Sequence, residues 1–250
     1  MSFLKKIKER LFFINNSPFK YIYLFINKII SKNKYRKSYS QGAMDLILKD
    51  IFKNKIDGIY VDVGAQHPIK NNNTYQLYKK GWRGINIDLD NMNIELFKYN
   101  RPNDFNVCEA ISNRVEEVDL FFYHHKSPIN TLVKEISDKQ NSKLNEIKKV
   151  KTTTLNNILE KTNINRIDLL TIDVEGNELK VLKGLNFDKF LPKLIIVEYL
   201  DINSQKWEIP FNNIENIMKS EIYNFIISKN YKFVNWVNGD LVFVSKKFKV

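Results

Sequence analysis

Three groups of side chains in this 250-residue chain are of types and spacings that could do chemistry. The first is Tyr60-Val61-Asp62-Val63-Gly64-Ala65, followed by Gln66, His67 and Pro68, where an acid and a glycine fall at the end of an apolar run. A glycine there lets the backbone approach a ligand closely. The second is Asp88, 26 residues after Asp62, near the roughly 20-residue interval at which an acid reaches a ribose diol; Asp90 is its substitute. The third is Asp173-Val174-Glu175-Gly176-Asn177-Glu178, with Glu198 further on. Carboxylates of this kind can take a proton from an acceptor hydroxyl or ligate a hard cation. Asp173 is the first choice of base, with Glu175 and His67 as rivals; His67 has the more suitable unperturbed pKa. Asp173, Glu175, Glu178 and Glu198 could instead gather a divalent metal, although their spacing does not compel one. Glu178 reads as a partner of a helix N-terminus, and Glu198 as structural.

The elements that must position these residues alternate from residue 59 onward, as in parallel βαβ units. Strands are expected at Ile59 to Val63, Gly84 to Asp88, Asn106 to Ile111, Ile167 to Ile172 and Leu194 to Val197. Helices are expected at Tyr75 to Lys80 and Asn91 to Tyr99, with a capped turn at Thr154-Leu155. Val118 to Tyr123 reads as an inserted strand, and Ser137 to Lys149 as a surface helix, a loop or a lid. The stripe Ile214, Ile217, Met218, Ile222, Phe225 and Ile226 gives a core-facing helix. Tyr231 to Val237 and Leu241 to Val244 flank Asn238-Gly239-Asp240, a hairpin signal, so the last strand must run antiparallel. The expected fold is α/β: a doubly wound, seven-stranded sheet of the class I methyltransferase kind with an antiparallel last strand, plus an N-terminal helical arm.

In such a sheet, ligands bind at the carboxyl ends of the strands, where all three groups fall. A dinucleotide would want G-x-G-x-x-G at the first turn, and only Gly64 is present. S-adenosylmethionine, which carries a sulfonium and an ammonium group, suits a carboxylate-rich site better.

The formal charge is +12, but residues 1–37 hold ten Lys/Arg against Glu9, leaving +3 on the remaining 213 residues. No nucleic-acid partner is therefore expected for the main domain. Phe3, Leu4, Ile7, Leu11 and Phe12 recur at helical spacing among basic residues, which suits peripheral contact with an anionic membrane; an arm that covers the domain or pairs two subunits is the competing reading. The division expected is 1–37, a basic amphipathic arm, and 38–250, the cofactor-binding domain. A single cysteine, Cys108, points to a reducing cytoplasm and reads as a small buried hydrophobe. His124-His125-Lys126 reads as a solvated turn or part of an acceptor pocket with Asn130-Thr131, since adjacent strand residues face opposite ways.

Several segments together resemble the FkbM-type methyltransferase family: Tyr60 to Pro68, Asn73-Thr74-Tyr75, Lys80 to Asp88, Arg101-Pro102-x-Asp104, Ala110-Ile111-Ser112 and, most specifically, Ile167 to Gly184. The resemblance runs from about Ser38 to the C-terminus. It implies methyl transfer from S-adenosylmethionine to an oxygen, with sugars or hydroxyls of secondary metabolites as acceptors. It also implies cofactor contacts from Gln41, Asp62, Gly64, Ala65, Asn73, Thr74, Asp88, Glu109, Ala110 and Asp173. The chain departs from the family pattern at Gly42-Ala43-Met44 and at Gln66, where relatives carry a first histidine. A homo-oligomer is compatible with this reading. The rival classes are a catalytically inactive scaffold and a basic nucleic-acid- or membrane-binding protein.

Overall fold

The computed structural model describes residues 20–22, 24–26, 37–199 and 214–248. The chain divides into two compact units, 1–37 and 38–250. In the first, residues 20–22 and 24–26 are helical, and the amphipathic pattern at Phe3 to Phe12 lies outside the described residues. Among the described residues no helix is long and apolar enough to cross a membrane.

The second unit is built on a seven-stranded sheet of β1 (Ile59–Val63), β2 (Arg83–Asp88), β3 (Phe105–Cys108), β7 (Leu169–Ile172), β8 (Leu194–Glu198), β9 (Tyr231–Val237) and β10 (Asp240–Ser245). Its order is β3-β2-β1-β7-β8-β10-β9. The first five strands are parallel, and β10 runs antiparallel to both β8 and β9. The fold is thus mixed α/β with a reversed last strand, as the hairpin signal required.

Both faces of the sheet are covered, and strand alternation shows it. Val61, Val63, Leu170, Ile172, Ile195, Val197, Leu241 and Phe243 enter one core with α5 (Leu155–Lys161), α6 (Glu178–Lys183) and α8 (Glu221–Ser228). Tyr60, Leu169, Leu194, Ile196 and Val242 enter the other with α1 (Met44–Ile51) and α2 (Tyr75–Lys79). Such double coverage is why these strands read as continuous apolar runs.

Four expectations need correction. The third strand is two: β3 ends at Cys108 and β4 (Ala110–Ser112) belongs to a separate three-stranded sheet, order β4-β6-β5. The polar stretch after Ser137 holds the end of α4 (Lys134–Lys139) and the start of β6 (Glu146–Thr154), which pairs antiparallel with β5 (Glu117–Phe122). Its alternating lysines, Lys149 and Lys151, occupy a solvent-facing ladder, and that pattern is hard to tell from a polar helix. The apolar stripe after residue 214 is also two helices, α7 (Ile214–Lys219) and α8, because Ser220 caps the second by accepting from the Tyr223 N–H. Cys108 is exposed, not buried. α3 (Asn91–Asn100) completes the set, capped by Asp90.

Candidate active site

Strand order reverses at β1 and β7, so the chain turns away in opposite directions and leaves a crevice at their carboxyl ends. A cleft opens there, lined by Gly64, Gln66, Asp88, Glu109, Asp173 and Glu175 among others. Gly64 makes the crevice. Its N–H and that of Ala65 both donate to the Ile87 carbonyl (2.9 and 3.0 Å), while the Asp173 N–H donates to the Val63 carbonyl (2.9 Å). The three strand ends are thereby laced together. At φ 80° Gly64 sits in the left-handed region, and a Cβ there would lie 1.6 Å from the Asp173 carbonyl oxygen. Backbone cradled this closely, on a cleft that the Asp88 carboxylate also lines, fits the chemistry of a nucleoside cofactor.

Asp88 closes β2 on the same cleft. Its Oδ2 accepts from the Gln66 N–H (2.9 Å) and its Oδ1 from the Asp90 N–H (2.7 Å). The Asn93 side chain bonds the carboxylate as well, which leaves one of its four lone pairs for a ribose hydroxyl. Burial pushes this carboxyl above its usual range. The facing wall comes from Glu109, Ala110 and Ile111 and from Ser127, Pro128, Asn130 and Leu132. Break and wall are connected: the Glu109 N–H donates to the Asp88 carbonyl (3.1 Å) where the third strand divides. Ser127, Pro128, Asn130 and Leu132 thus line the same cleft as Asp88. Asp201 to Pro210 lies outside the described residues.

Gly64, Asp88, Glu109, Ala110, Asp173 and Glu175 therefore share one cleft. The remaining predicted residues are not among its lining. Asp62 and Thr74 are buried behind the turn, where the Thr74 hydroxyl donates to Asp62 Oδ2 (2.8 Å). The Asn73 amide donates to Thr171 Oγ1 (3.4 Å) and also bonds Asp240. Gln41 Oε1 accepts from Asn238 Nδ2 (3.4 Å) at the β9–β10 turn.

His67 has a different task from the one expected. Its Nδ1 accepts from the Ile69 and Lys70 N–H groups, both at 3.0 Å, which places the remaining proton on Nε2. Burial, then the charges of Lys70, Lys126 and Arg101, lower its pKa. An imidazole with its one lone pair spent on a turn has none with which to take a substrate proton. His124, His125 and Lys126 form an exposed turn, pinned where His125 Nδ1 meets Asp90 Oδ1 at 3.0 Å.

The acids after β7 and β8 converge. One oxygen each from Asp173, Glu175 and Glu198 lies within 4.8 Å of the others. Asp240, read only as a hairpin residue, joins them because it pairs in register with Glu198. Its signal was available, since a reversed strand beside β8 must begin where β8 ends. Burial raises the pKa of every member. Asp240 is pushed to about 7 by burial and by the Asp173 charge, and Glu178 to about 7 chiefly by burial. Glu175 and Glu198 are raised by burial and then by their anionic neighbours. Asp173 and Glu198 share a hydrogen bond that favours the proton on Glu198 and the charge on Asp173. Burial around the Asp173 carboxyl raises its pKa too, while the residue keeps a face open to the cleft. Glu178 holds the loop's shape: its Oε1 accepts from the Val174 and Gly176 N–H groups, both at 3.0 Å, allowing the left-handed Glu175 (φ 54°).

This cluster makes stability depend on pH. Acids whose folded pKa is raised hold protons that the unfolded chain releases, so their contribution is full below about 4 and is lost as pH rises toward 8. The melting temperature is expected to fall between pH 6 and 8, by about 2–4 °C for each kcal/mol lost. Glu198→Gln should flatten that slope in differential scanning calorimetry. An unchanged slope would show that these acids titrate alike folded and unfolded.

Comparison with known proteins adds the following. No curated protein matches the chain in sequence. Among solved structures, it is similar to a TehB-like SAM-dependent methyltransferase from Corynebacterium glutamicum, at 13% identity over 90% of this chain and 96% of that one, TM-score 0.40. It is also similar to a methyltransferase FkbM from Methylobacillus flagellatus, at 12% identity over 85% of this chain and 45% of that one, TM-score 0.43. The model of the methyltransferase FkbM domain matches residues 62–233, from the acid of β1 into β9. That span is well over half of the sequence and takes in the cleft lining together with Asp173, Glu175 and Glu198; the chain belongs to the FkbM methyltransferase family.

Proposed function

We propose that this chain is an S-adenosylmethionine-dependent O-methyltransferase that acts on a hydroxyl of a sugar or polysaccharide precursor. The observation that carries the reading is Asp173, a carboxylate tied to Gly64 through the backbone and opening onto the cleft that Asp88 closes at its other side. Bound there, S-adenosylmethionine supplies an electrophilic methyl group. Gly64, Gln66 and Asp88 would hold its nucleoside and amino-acid parts. Asp173, whose hydrogen bond with Glu198 offsets part of the rise that burial causes, accepts the proton of the acceptor hydroxyl as its oxygen becomes nucleophilic. Glu175, on the same lining, offers a hydrogen-bonding group to a further hydroxyl, which suits a polyol. Holding the hydroxyl in line with the methyl group is the larger part of such catalysis.

A second reading concerns a divalent cation at Asp173, Glu175 and Glu198. Their convergence favours it, as does Glu198 Oε2, which is buried without a hydrogen-bond partner. A cation held there would polarise an acceptor diol. In the proposed arrangement residues 38–250 form the enzyme, residues 1–37 a basic arm for an anionic membrane or a second subunit, and the enzyme works in the cytoplasm.

The test is transfer of labelled methyl groups from S-adenosylmethionine to a panel of nucleotide-linked sugars and polysaccharide fragments, with and without chelator. Methylation of a sugar hydroxyl supports the proposal, and loss of it in chelator, restored by Mg²⁺, supports the cation. Cofactor binding with no methylation of any hydroxyl would favour an inactive scaffold; salt-sensitive nucleic-acid binding without cofactor affinity would favour the basic-protein reading.

A further inference from the structure

Arg101 has no solvent exposure, yet it lies on no strand and touches no residue of the acidic cluster. It follows the last turn of α3, and its guanidinium is fully used. Nε and Nη2 both donate to the Pro68 carbonyl (3.0 and 2.5 Å), Nη2 to Asn72 Oδ1 (2.6 Å), and Nη1 to Thr74 Oγ1 (2.8 Å) and Asn86 Oδ1 (3.3 Å). The rings of Phe97, Tyr75 and Tyr78 stand around it at 5.0, 5.4 and 5.4 Å. A buried cation is costly unless it is paired and hydrogen-bonded. Among the described residues no carboxylate bonds Arg101 directly; three of its four partners belong to the segment that leads from Gly64 to α2.

Those partners pass the contact onward. The Thr74 hydroxyl donates to Asp62 Oδ2 (2.8 Å), and the Asn72 amide donates to the same oxygen (3.2 Å) and to the Ala65 carbonyl (3.3 Å). Arg101 thus reaches both Asp62 and the Gly64-Ala65-Gln66 turn through single intermediaries. A planar fork with five donors can serve four acceptors at once; a lysine ammonium cannot.

We infer that Arg101 is a positioning residue for the cofactor: by fixing Pro68, Asn72 and Thr74 it sets the Asp62 carboxylate and the Gly64–Gln66 turn against which the nucleoside rests. The inference rests on the proposed use of S-adenosylmethionine. It has an electrostatic corollary. Burial raises the Asp62 pKa to about 6, and the charge of Arg101 is the largest influence holding it down. Without that charge Asp62 protonates at higher pH, and a site organised around its carboxylate weakens near neutrality.

The test is calorimetric titration of the full chain with S-adenosylmethionine from pH 6 to 8.5, alongside melting curves and steady-state kinetics. For Arg101→Gln the dissociation constant at pH 7 is expected to rise about tenfold or more, ~1.4 kcal/mol, with the loss shrinking as pH rises. Arg101→Lys keeps the charge, so it should weaken binding without moving the pH midpoint. Both losses should appear in the cofactor KM before kcat. Should the Arg101 variants not fold, Asn72→Ala decides, since it cuts the link to Ala65 and leaves the guanidinium in place; weaker cofactor binding is expected. Folded variants with wild-type affinity at every pH would overturn the inference, as would a pH-independent loss in Arg101→Gln. Wild-type protein that binds no S-adenosylmethionine would instead remove the proposed function, and the inference with it.

Discussion

Asp173→Asn is expected to lower methyl transfer by two orders of magnitude or more while leaving the affinity for S-adenosylmethionine within about threefold of wild type. Positioned proton transfer contributes roughly 10²–10⁴ to a rate, and asparagine keeps the size of the side chain while removing its basicity. The backbone of residue 173 is unchanged by the substitution, so the N–H that bonds the Val63 carbonyl and the carbonyl that sits under Gly64 stay in place. Chemistry and cofactor cradle are therefore separable at this one residue. The variant also loses a negative charge amid Glu175, Glu198 and Asp240, so its melting temperature at pH 8 should not fall. Single-turnover rates with the methylated acceptor check the first expectation, and full activity would remove Asp173 as base.

Gly64→Ala has the opposite profile. A methyl group would have to occupy space 1.6 Å from the Asp173 carbonyl oxygen, where real contacts stay beyond 3.0 Å, and at a φ of 80°. A left-handed residue costs roughly 1–2 kcal/mol by itself, and the ends of β1 and β7 must also part. A loss of about 3 kcal/mol is expected, or a melting temperature lower by about 6–12 °C. Because the turn is also the floor of the cleft, the rise in melting temperature that saturating S-adenosylmethionine gives the wild type should vanish. A variant with wild-type stability and an intact ligand shift would mean that the turn is looser than its packing indicates.

The sheet was legible because its strands are buried on both faces and read as apolar runs, and because Asn238-Gly239-Asp240 forces a reversal. Less legible was the insertion after β3. β6 carries Lys149 and Lys151 on one face and Glu146 and Lys148 on the other, and only its pairing with β5, whose partner residues lie some thirty positions away, makes it a strand. For the site, spacing located Gly64, Asp88, Asp173 and Glu175 because a parallel sheet delivers strand ends to a common edge. It could not show that Asp62 and Thr74 face the layer behind the turn, since period-2 alternation is ambiguous where both faces are covered. His67 was misjudged for a related reason: a lone pair engaged by two backbone N–H groups is a property of the loop's path, not of the residue. Asp240 could be placed only by reasoning that a strand reversed beside β8 begins where β8 ends, and Arg101 was not read as a site residue because its partners, Pro68 to Thr74 and Asn86, lie 15–33 positions away.

The central claim is that the cleft between Gly64, Asp88 and Asp173 binds S-adenosylmethionine. Isothermal titration of the purified chain with that compound tests it most directly, with NADH as a control ligand. Saturable binding of one molecule per chain, lost in Asp88→Ala and absent with NADH, is the predicted result; no heat with S-adenosylmethionine, or binding that Asp88→Ala leaves intact, would contradict it.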